Sequence, residues 1–100
     1  MPRPKLIDVD PRTLHLPPTR RSGADPIKLQ LQIAKYGRST LGMPPPPASQ
    51  GTDGALMLTD GVTRATRVAK LLPGVPITVQ VFDDMACPVG HLPTVGDKLP

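Results

Sequence analysis

The sequence predicts a small α/β (α+β) domain, in which two main helices cover a small mixed sheet and proline-rich irregular loops join the elements. The chain has 100 residues, which is the usual size of one domain. Short apolar or alternating runs alternate with two helical patterns, at residues 26–36 and 62–72. The 15 prolines and 9 glycines predict long irregular segments around this small regular kernel.

The N-terminal region is predicted to supply extended pieces. Residues 1–4 are expected to be loose, and Lys5–Val9 follows as a first strand that ends at the turn signal Asp10-Pro11. Residues 14–16 form a second extended piece before Pro17.

The first helix is expected to begin with Asp25 as N-cap and Pro26 as first helical residue, because proline needs no N–H partner there. Gly37 can end it. Its Lys28 and Lys35 are predicted to form a solvated face without a binding role. The helix is predicted to be core scaffold through its apolar side chains, which are Ile27, Leu29, Leu31, Ile33 and Ala34.

Four consecutive prolines occupy residues 44–47. They remove four backbone donors and fix an extended conformation, so we expect no central strand to start there. The run is predicted to be a stiff connector, and the alternative is a docking ligand for another protein. Asp53-Gly54 then predicts a hairpin turn into a strand at residues 55–58.

The second helix, residues 62–72, follows the turn dipeptide Asp60-Gly61. At about 100° per residue, its apolar side chains share one arc and its basic side chains share another. Free N–H groups and the helix dipole attract anions at the N-terminus, and the Arg64 guanidinium adds a fork of donors. The alternative is that Asp60 merely caps the helix and the basic arc is solvated. The basic arc consists of Thr63, Arg64, Arg67 and Lys70.

The C-terminal part begins with a half-buried strand at residues 77–82, where apolar and polar residues alternate. Residues 1–82 are therefore predicted to form the domain, and residues 83–100 an irregular wrap or a flexible tail. Cys87 and His91 have the spacing of two metal ligands, but no other cysteine completes a structural zinc site, so no metal site is predicted.

Composition limits the function classes. The net charge of +4 is compatible with a polyanionic partner, whereas one Tyr, one Phe and no Trp disfavour a stacking platform for single-stranded nucleic acid. A single cysteine excludes an intrachain disulfide and favours a reducing compartment. With no apolar run of signal-peptide or bilayer length, we expect a cytoplasmic protein without membrane contact.

The segment Asp60-Gly61-Val62-Thr63-Arg64-Ala65 resembles a signature of the ParB/sulfiredoxin-like superfamily, whose members include the ParB N-terminal domain. Residues 14–20, 42–44 and 77–81 stand in the matching order, and the resemblance covers residues 5–82. It implies a site for a phosphate-bearing ligand, either a nucleotide or a nucleic-acid backbone, at the N-terminus of helix 62–72. Mg²⁺ is expected only together with a bound nucleotide. The predicted ligand-binding residues are Gly61, Thr63, Arg64, Arg67, Arg20 and Arg21, and Asp60 is predicted from its own chemistry to be a structural turn and cap residue.

The chain departs from the catalytic members of that superfamily. Sulfiredoxins carry Gly-Cys-His-Arg at this turn, and Val62 and Thr63 stand here instead, so we expect no reductase activity. ParB-type nucleotide hydrolases carry Gly-Glu-Arg-Arg, of which only Gly61 and Arg64 remain.

Two further function classes stay open. A DNA nuclease would need carboxylates or histidines near the turn, and the candidates are Asp60, Asp53, His15 and Asp25. A noncatalytic protein-interaction module would use the proline run and the tail as contact segments. Whether the protein is an enzyme is not decided by the sequence.

Overall fold

A computed structural model describes residues 4–100, so the predicted loose start lies, except for Pro4, outside the described residues. It is a small mixed α/β domain with a four-stranded mixed sheet and two helices. The elements in chain order are β1 (Lys5–Val9), α1 (Pro26–Tyr36), β2 (Pro47–Gln50), β3 (Leu56–Leu58), α2 (Val62–Leu71) and β4 (Ile77–Asp84), with 3₁₀ turns at Pro11–Thr13, Pro18–Arg20 and Gly96–Lys98.

The sheet has the strand order β1-β4-β2-β3. β1 pairs antiparallel with β4, so that Ile7 lies opposite Val79. β2 and β3 form the antiparallel hairpin that Asp53-Gly54 predicted. β2 runs parallel to β4, with a register shift between Ala48 and Ser49. The parallel pair requires a crossover, and the hairpin strand β3 together with α2 supplies it.

β2 corrects one prediction, because a central strand does start in the proline run. Pro47 is the first residue of β2, which lies between β4 and β3. The prolines contribute acceptors only: Pro46 O accepts from the N–H of Gln80 at 2.9 Å, and Pro47 O accepts from the N–H of Thr59 at 3.0 Å. The first residue of a strand tolerates proline for this reason. The stiff-connector interpretation therefore describes only the exposed Pro44 and Pro45.

The main core lies between α2 and the sheet. The predicted apolar arc of α2 is confirmed: Val62, Ala65, Val68 and Ala69 are buried, and Leu72 is half-buried against them. The other buried side chains of this core are Leu14 and Leu16 from the extended N-terminal piece, Ala48 from β2, Leu58 from β3, Ile77, Val79 and Val81 from β4, and Val95.

α1 begins as predicted, since the Asp25 carboxylate accepts from the N–H groups of Ile27 and Lys28 at 2.8 and 3.2 Å. The expectation that α1 is core scaffold is wrong. Leu29 is its one buried residue, whereas Ile27 is 71% and Leu31 is 66% exposed. The reason is that α2 already covers the sheet, so α1 packs against α2 instead of against the strands.

The C-terminal segment is a wrap packed on the sheet. β4 continues to Asp84, two residues beyond the predicted end. Val89 and Leu92 then pack with Met57 in a second apolar cluster, and Val95 joins the main core. Residues 83–100 thus contribute to the same folded unit as the rest. In the described part of the chain, no helix is long and apolar enough to cross a membrane.

Candidate functional site

A cleft of about 390 Å³ opens at the N-terminus of α2, between this helix, the first half of α1 and the turn around Pro18–Arg20. Its lining is mainly polar. Three separate segments meet here because α1 packs on α2 with its own first turn close to that of α2. The lining side chains that carry charge are Arg20, Asp25, Lys28, Asp60 and Arg64.

The first turn of α2 provides backbone donors to the cleft. Gly61 is the N-cap residue with φ 77°, a left-handed conformation that glycine adopts without strain. Within residues 4–100 no side chain caps this helix, and its first backbone bond runs from Ala65 N–H to Gly61 O at 3.0 Å. The N–H groups of Val62, Thr63 and Arg64 therefore lie at the positive end of the helix dipole and have no side-chain acceptor in that part of the chain.

Asp60 has a different local role from the predicted helix cap. Its carboxylate accepts from the N–H of the adjacent Gly61 at 2.8 Å, whereas a capping side chain accepts from the second or third residue of the helix. Asp60 therefore stabilises the turn and leaves the first helical N–H groups unoccupied by its side chain.

Arg64 is the best placed cation of the cleft. It is half-buried, and its Nη1 makes one long contact of 3.4 Å with Pro44 O. A Cβ on Gly61 would lie 3.0 Å from Arg64 Nη2, so the absence of a side chain at Gly61 lets the guanidinium lie against the turn. Most of its donors are thus available to an anion in front of the helix.

Lys28 and Arg20 add positive charge from two other elements. Sequence reasoning gave Lys28 no role, yet it lines the cleft from the first turn of α1. The sequence indicates only that Lys28 lies in the first turn of α1, three residues after the N-cap Asp25. The packing of α1 on α2 is what brings that turn to the site. The Asp25 carboxylate accepts hydrogen bonds from the backbone N–H groups of Lys28 and Ile27. These bonds hold its pKa below the ordinary value.

Arg67 corrects the predicted site. It is 2% exposed and does not line this cleft. Its Nη1 donates to Gly37 O at 2.7 Å and to Ser39 O at 2.8 Å, and its guanidinium lies 5.4 Å from the centre of the Tyr36 ring. Burial lowers the pKa of the guanidinium from its ordinary value. At this turn, the end of α1 and the following loop cover the polar arc of α2. Arg67 therefore links α2 to the loop after α1.

The structure brings four of the predicted binding residues together in this cleft, namely Gly61, Thr63, Arg64 and Arg20. Arg67 lines an adjoining cleft instead, and Arg21 lines neither.

A second cleft of about 340 Å³ adjoins the first, because Gln32 and Arg64 line both. Its other walls are more apolar and come from the end of α1 and the loop that follows. Gln32 Oε1 is buried and has no hydrogen-bond partner in the described part of the chain. The remaining lining residues are Tyr36, Ser39, Leu41, Gly42, Met43, Pro44 and Arg67.

The candidate nuclease residues are not gathered in one place. Asp25 and Asp60 line the first cleft, but Asp53 accepts from the N–H groups of Gly90 and Ala55 at 2.8 and 3.2 Å. His15 Nδ1 lies 2.8 Å from Leu92 O. Over residues 4–100, no group of three or more His, Cys, Asp or Glu side chains is arranged to hold a metal ion.

Comparisons of the chain with protein-family models, with curated proteins and with solved structures found no match.

Proposed function

We propose that the chain is a ParB/sulfiredoxin-like domain that binds a phosphate-bearing ligand, a nucleotide or a nucleic-acid backbone, in the cleft at the N-terminus of α2. One observation carries the proposal: Arg20, Lys28 and Arg64 come from three different elements and line one cleft in front of a helix without a side-chain cap. Cationic side chains that separate elements bring to a helix N-terminus favour the binding of an anion.

The residues that line the cleft would contribute different contacts to a phosphate-bearing ligand. Arg64 offers two parallel donors to phosphate oxygens, and each charged hydrogen bond contributes about 1.5–3 kcal/mol. The first N–H groups of α2 and the Thr63 hydroxyl are further donors. Lys28 and Arg20 add positive charge at the same cleft, but both already interact with the Asp25 carboxylate, so Arg64 is the cation most available to the ligand.

The adjoining apolar cleft favours a nucleotide over a polymeric backbone. A nucleotide has one highly charged end and one flat ring with an apolar face. The first cleft suits the charged end, and the second cleft, with Tyr36, Met43 and Pro44 in its walls, suits the ring. The amide of Gln32, at the border of the two clefts, offers a polar contact to the ring or the sugar.

The family assignment is supported by the position of the Asp60-Gly61-Val62-Thr63-Arg64-Ala65 segment, which connects β3 to α2. α1 precedes this segment, and β4 follows it, in the order that the resemblance requires.

The residues favour binding without a chemical step. The carboxylates of Asp25 and Asp60 each accept backbone N–H groups of their own turn through one oxygen, Oδ1, which favours a structural role for both. Val62 is buried in the core at the position where a reductase would need a thiol.

The experiment is a titration of the full chain with CTP, with ATP and with a short DNA duplex, each at two salt concentrations. We expect one nucleotide to bind better than the other, with a weak dependence on salt. Tighter binding of the duplex, with a steep loss of affinity at higher salt, would identify a nucleic-acid backbone as the ligand. If none of the three binds, the proposal is wrong.

The alternative class is a noncatalytic protein-interaction module. The segments predicted to make its contacts are used by the fold, because Pro46 is buried beside β2 and Val95 is part of the core. A different surface favours this class, and it lies on α1.

A further inference from the structure

α1 presents two apolar side chains, Ile27 and Leu31, that are mostly exposed. Ile27 and Leu31 are four residues apart, so they share one side of the helix, and they are 71% and 66% exposed. Tyr36 at the end of the helix is 42% exposed. A shallow groove of about 290 Å³ runs beside this row, and Leu31 and Tyr36 are part of its wall.

The same surface is exclusively cationic. Lys28 and Lys35 line the groove next to Leu31 and Tyr36, and Arg38 is exposed just beyond the helix. The Lys35 ammonium lies 5.3 Å from the centre of the Tyr36 ring. The sequence contains no acidic residue between Asp25 and Asp53. The Asp25 carboxylate interacts with Lys28, whereas Lys35 and Arg38 have no carboxylate on α1 to neutralise them.

We propose that this surface, formed by Ile27, Lys28, Leu31, Lys35 and Tyr36 and called the α1 face below, docks an acidic amphipathic segment of a partner protein. The apolar side chains of that segment cover Ile27 and Leu31 and enter the groove. Its carboxylates pair with Lys35 and with Lys28, which borders both this groove and the first cleft. The two lysines lie seven positions apart, about two helical turns from each other.

Charge complementarity and shape select this occupant. An apolar patch alone accepts many partners, but a patch bordered by cations favours apolar side chains spaced between carboxylates. A basic amphipathic helix also suits an anionic membrane surface. The groove distinguishes the two, because its concave wall fits single inserted side chains, whereas a lipid surface would meet a convex row.

The test selects peptides from a displayed random library on the immobilised full chain and measures the affinity of the enriched peptides by fluorescence polarisation. We expect the enriched sequences to combine Asp or Glu with apolar residues at helical spacing. Leu31→Gln should weaken their binding about tenfold or more, because a leucine loses its buried contact area with the peptide. Lys35→Glu should weaken it similarly by repelling the carboxylates.

The chain offers matched controls. Leu6 on β1 is 66% exposed, the same fraction as Leu31, so Leu6→Gln makes the same chemical change elsewhere and should leave the affinity unchanged. Lys5→Glu is the corresponding control for charge. The melting temperature of Leu31→Gln should stay near that of the unmodified chain, since the side chain is mostly exposed.

Five results would overturn the proposal. The first four are the absence of any enriched peptide, enrichment of basic or uncharged sequences, equal losses from Leu31→Gln and Leu6→Gln, and binding to vesicles of anionic lipid that Leu31→Gln abolishes while peptides do not bind. A dimer in sedimentation that Leu31→Gln dissociates would also overturn it, because the occupant would then be a second copy of the chain.

Discussion

Replacing Arg67 with methionine should lower the free energy of unfolding by about 3 kcal/mol, based on two charged hydrogen bonds worth about 1.5–3 kcal/mol each. The guanidinium donates to Gly37 O at 2.7 Å and to Ser39 O at 2.8 Å, and both are lost. Methionine recovers part of the apolar packing, and the exposed loop lets water reach the released carbonyls. The expected loss therefore lies at the lower end of the two-bond sum, which is about 3–6 kcal/mol. For a domain of this size, the melting temperature should fall by roughly 12–24 °C.

The assay is denaturant unfolding at equilibrium, followed by circular dichroism, with Arg64→Met as matched control. Arg64 makes a single contact of 3.4 Å with Pro44 O, so the control should cost less than about 1 kcal/mol, as for a weak, partly exposed bond. Equal losses for the two variants, or a loss below about 1 kcal/mol for Arg67→Met, would refute the conclusion that Arg67 anchors the loop after α1.

Two further predictions concern the turns around the site and the tail. Gly61→Ala should destabilise the fold more than Gly54→Ala, since both glycines have positive φ but only at Gly61 would the new Cβ lie 2.9 Å from Pro46 Cβ; the melting temperatures of the two variants check this. The N–H of Gly90 holds the pKa of Asp53 below its ordinary value of 3.8, so this carboxylate contributes stability above that pH and loses it as the pH falls through the lower, folded-state pKa. Asp53→Asn should therefore flatten the acid side of the stability profile, and an acid limb as steep as that of the unmodified chain would contradict this role.

The helix termini and the burial of α2 could be predicted from sequence because they depend on local chemistry. Asp25 and Pro26 begin α1 through a cap and a missing donor, and the apolar arc of α2 follows from helical period alone. The cleft was predicted in part for the same reason. Gly61 and Arg64 are close in sequence, so a strand followed by a turn and a helix places them together without knowledge of the remaining chain.

The errors arise where the outcome depends on which elements pack together. α1 and α2 both carry apolar faces, and their periodicity does not indicate which helix packs on the sheet. Because α2 does, Ile27 and Leu31 stay exposed. The same packing covers Arg67 and brings Lys28 to the cleft. The prediction for the proline run was wrong for another reason. A strand position at which the backbone only accepts hydrogen bonds has no sequence signature. Whether Pro47 needs an N–H donor is decided by its neighbours in β4 and β3.

The most direct test of the proposed phosphate site is calorimetric titration with inorganic triphosphate, a probe without a base, at low salt. Arg64→Lys should weaken binding about tenfold or more through loss of the donor fork, and Lys28→Gln should weaken it severalfold. Lys70→Gln, an exposed cation at the far end of α2, should leave the affinity unchanged. Equal losses in all three variants with one steep salt dependence would show a diffuse basic surface, and would contradict a site built around Arg64.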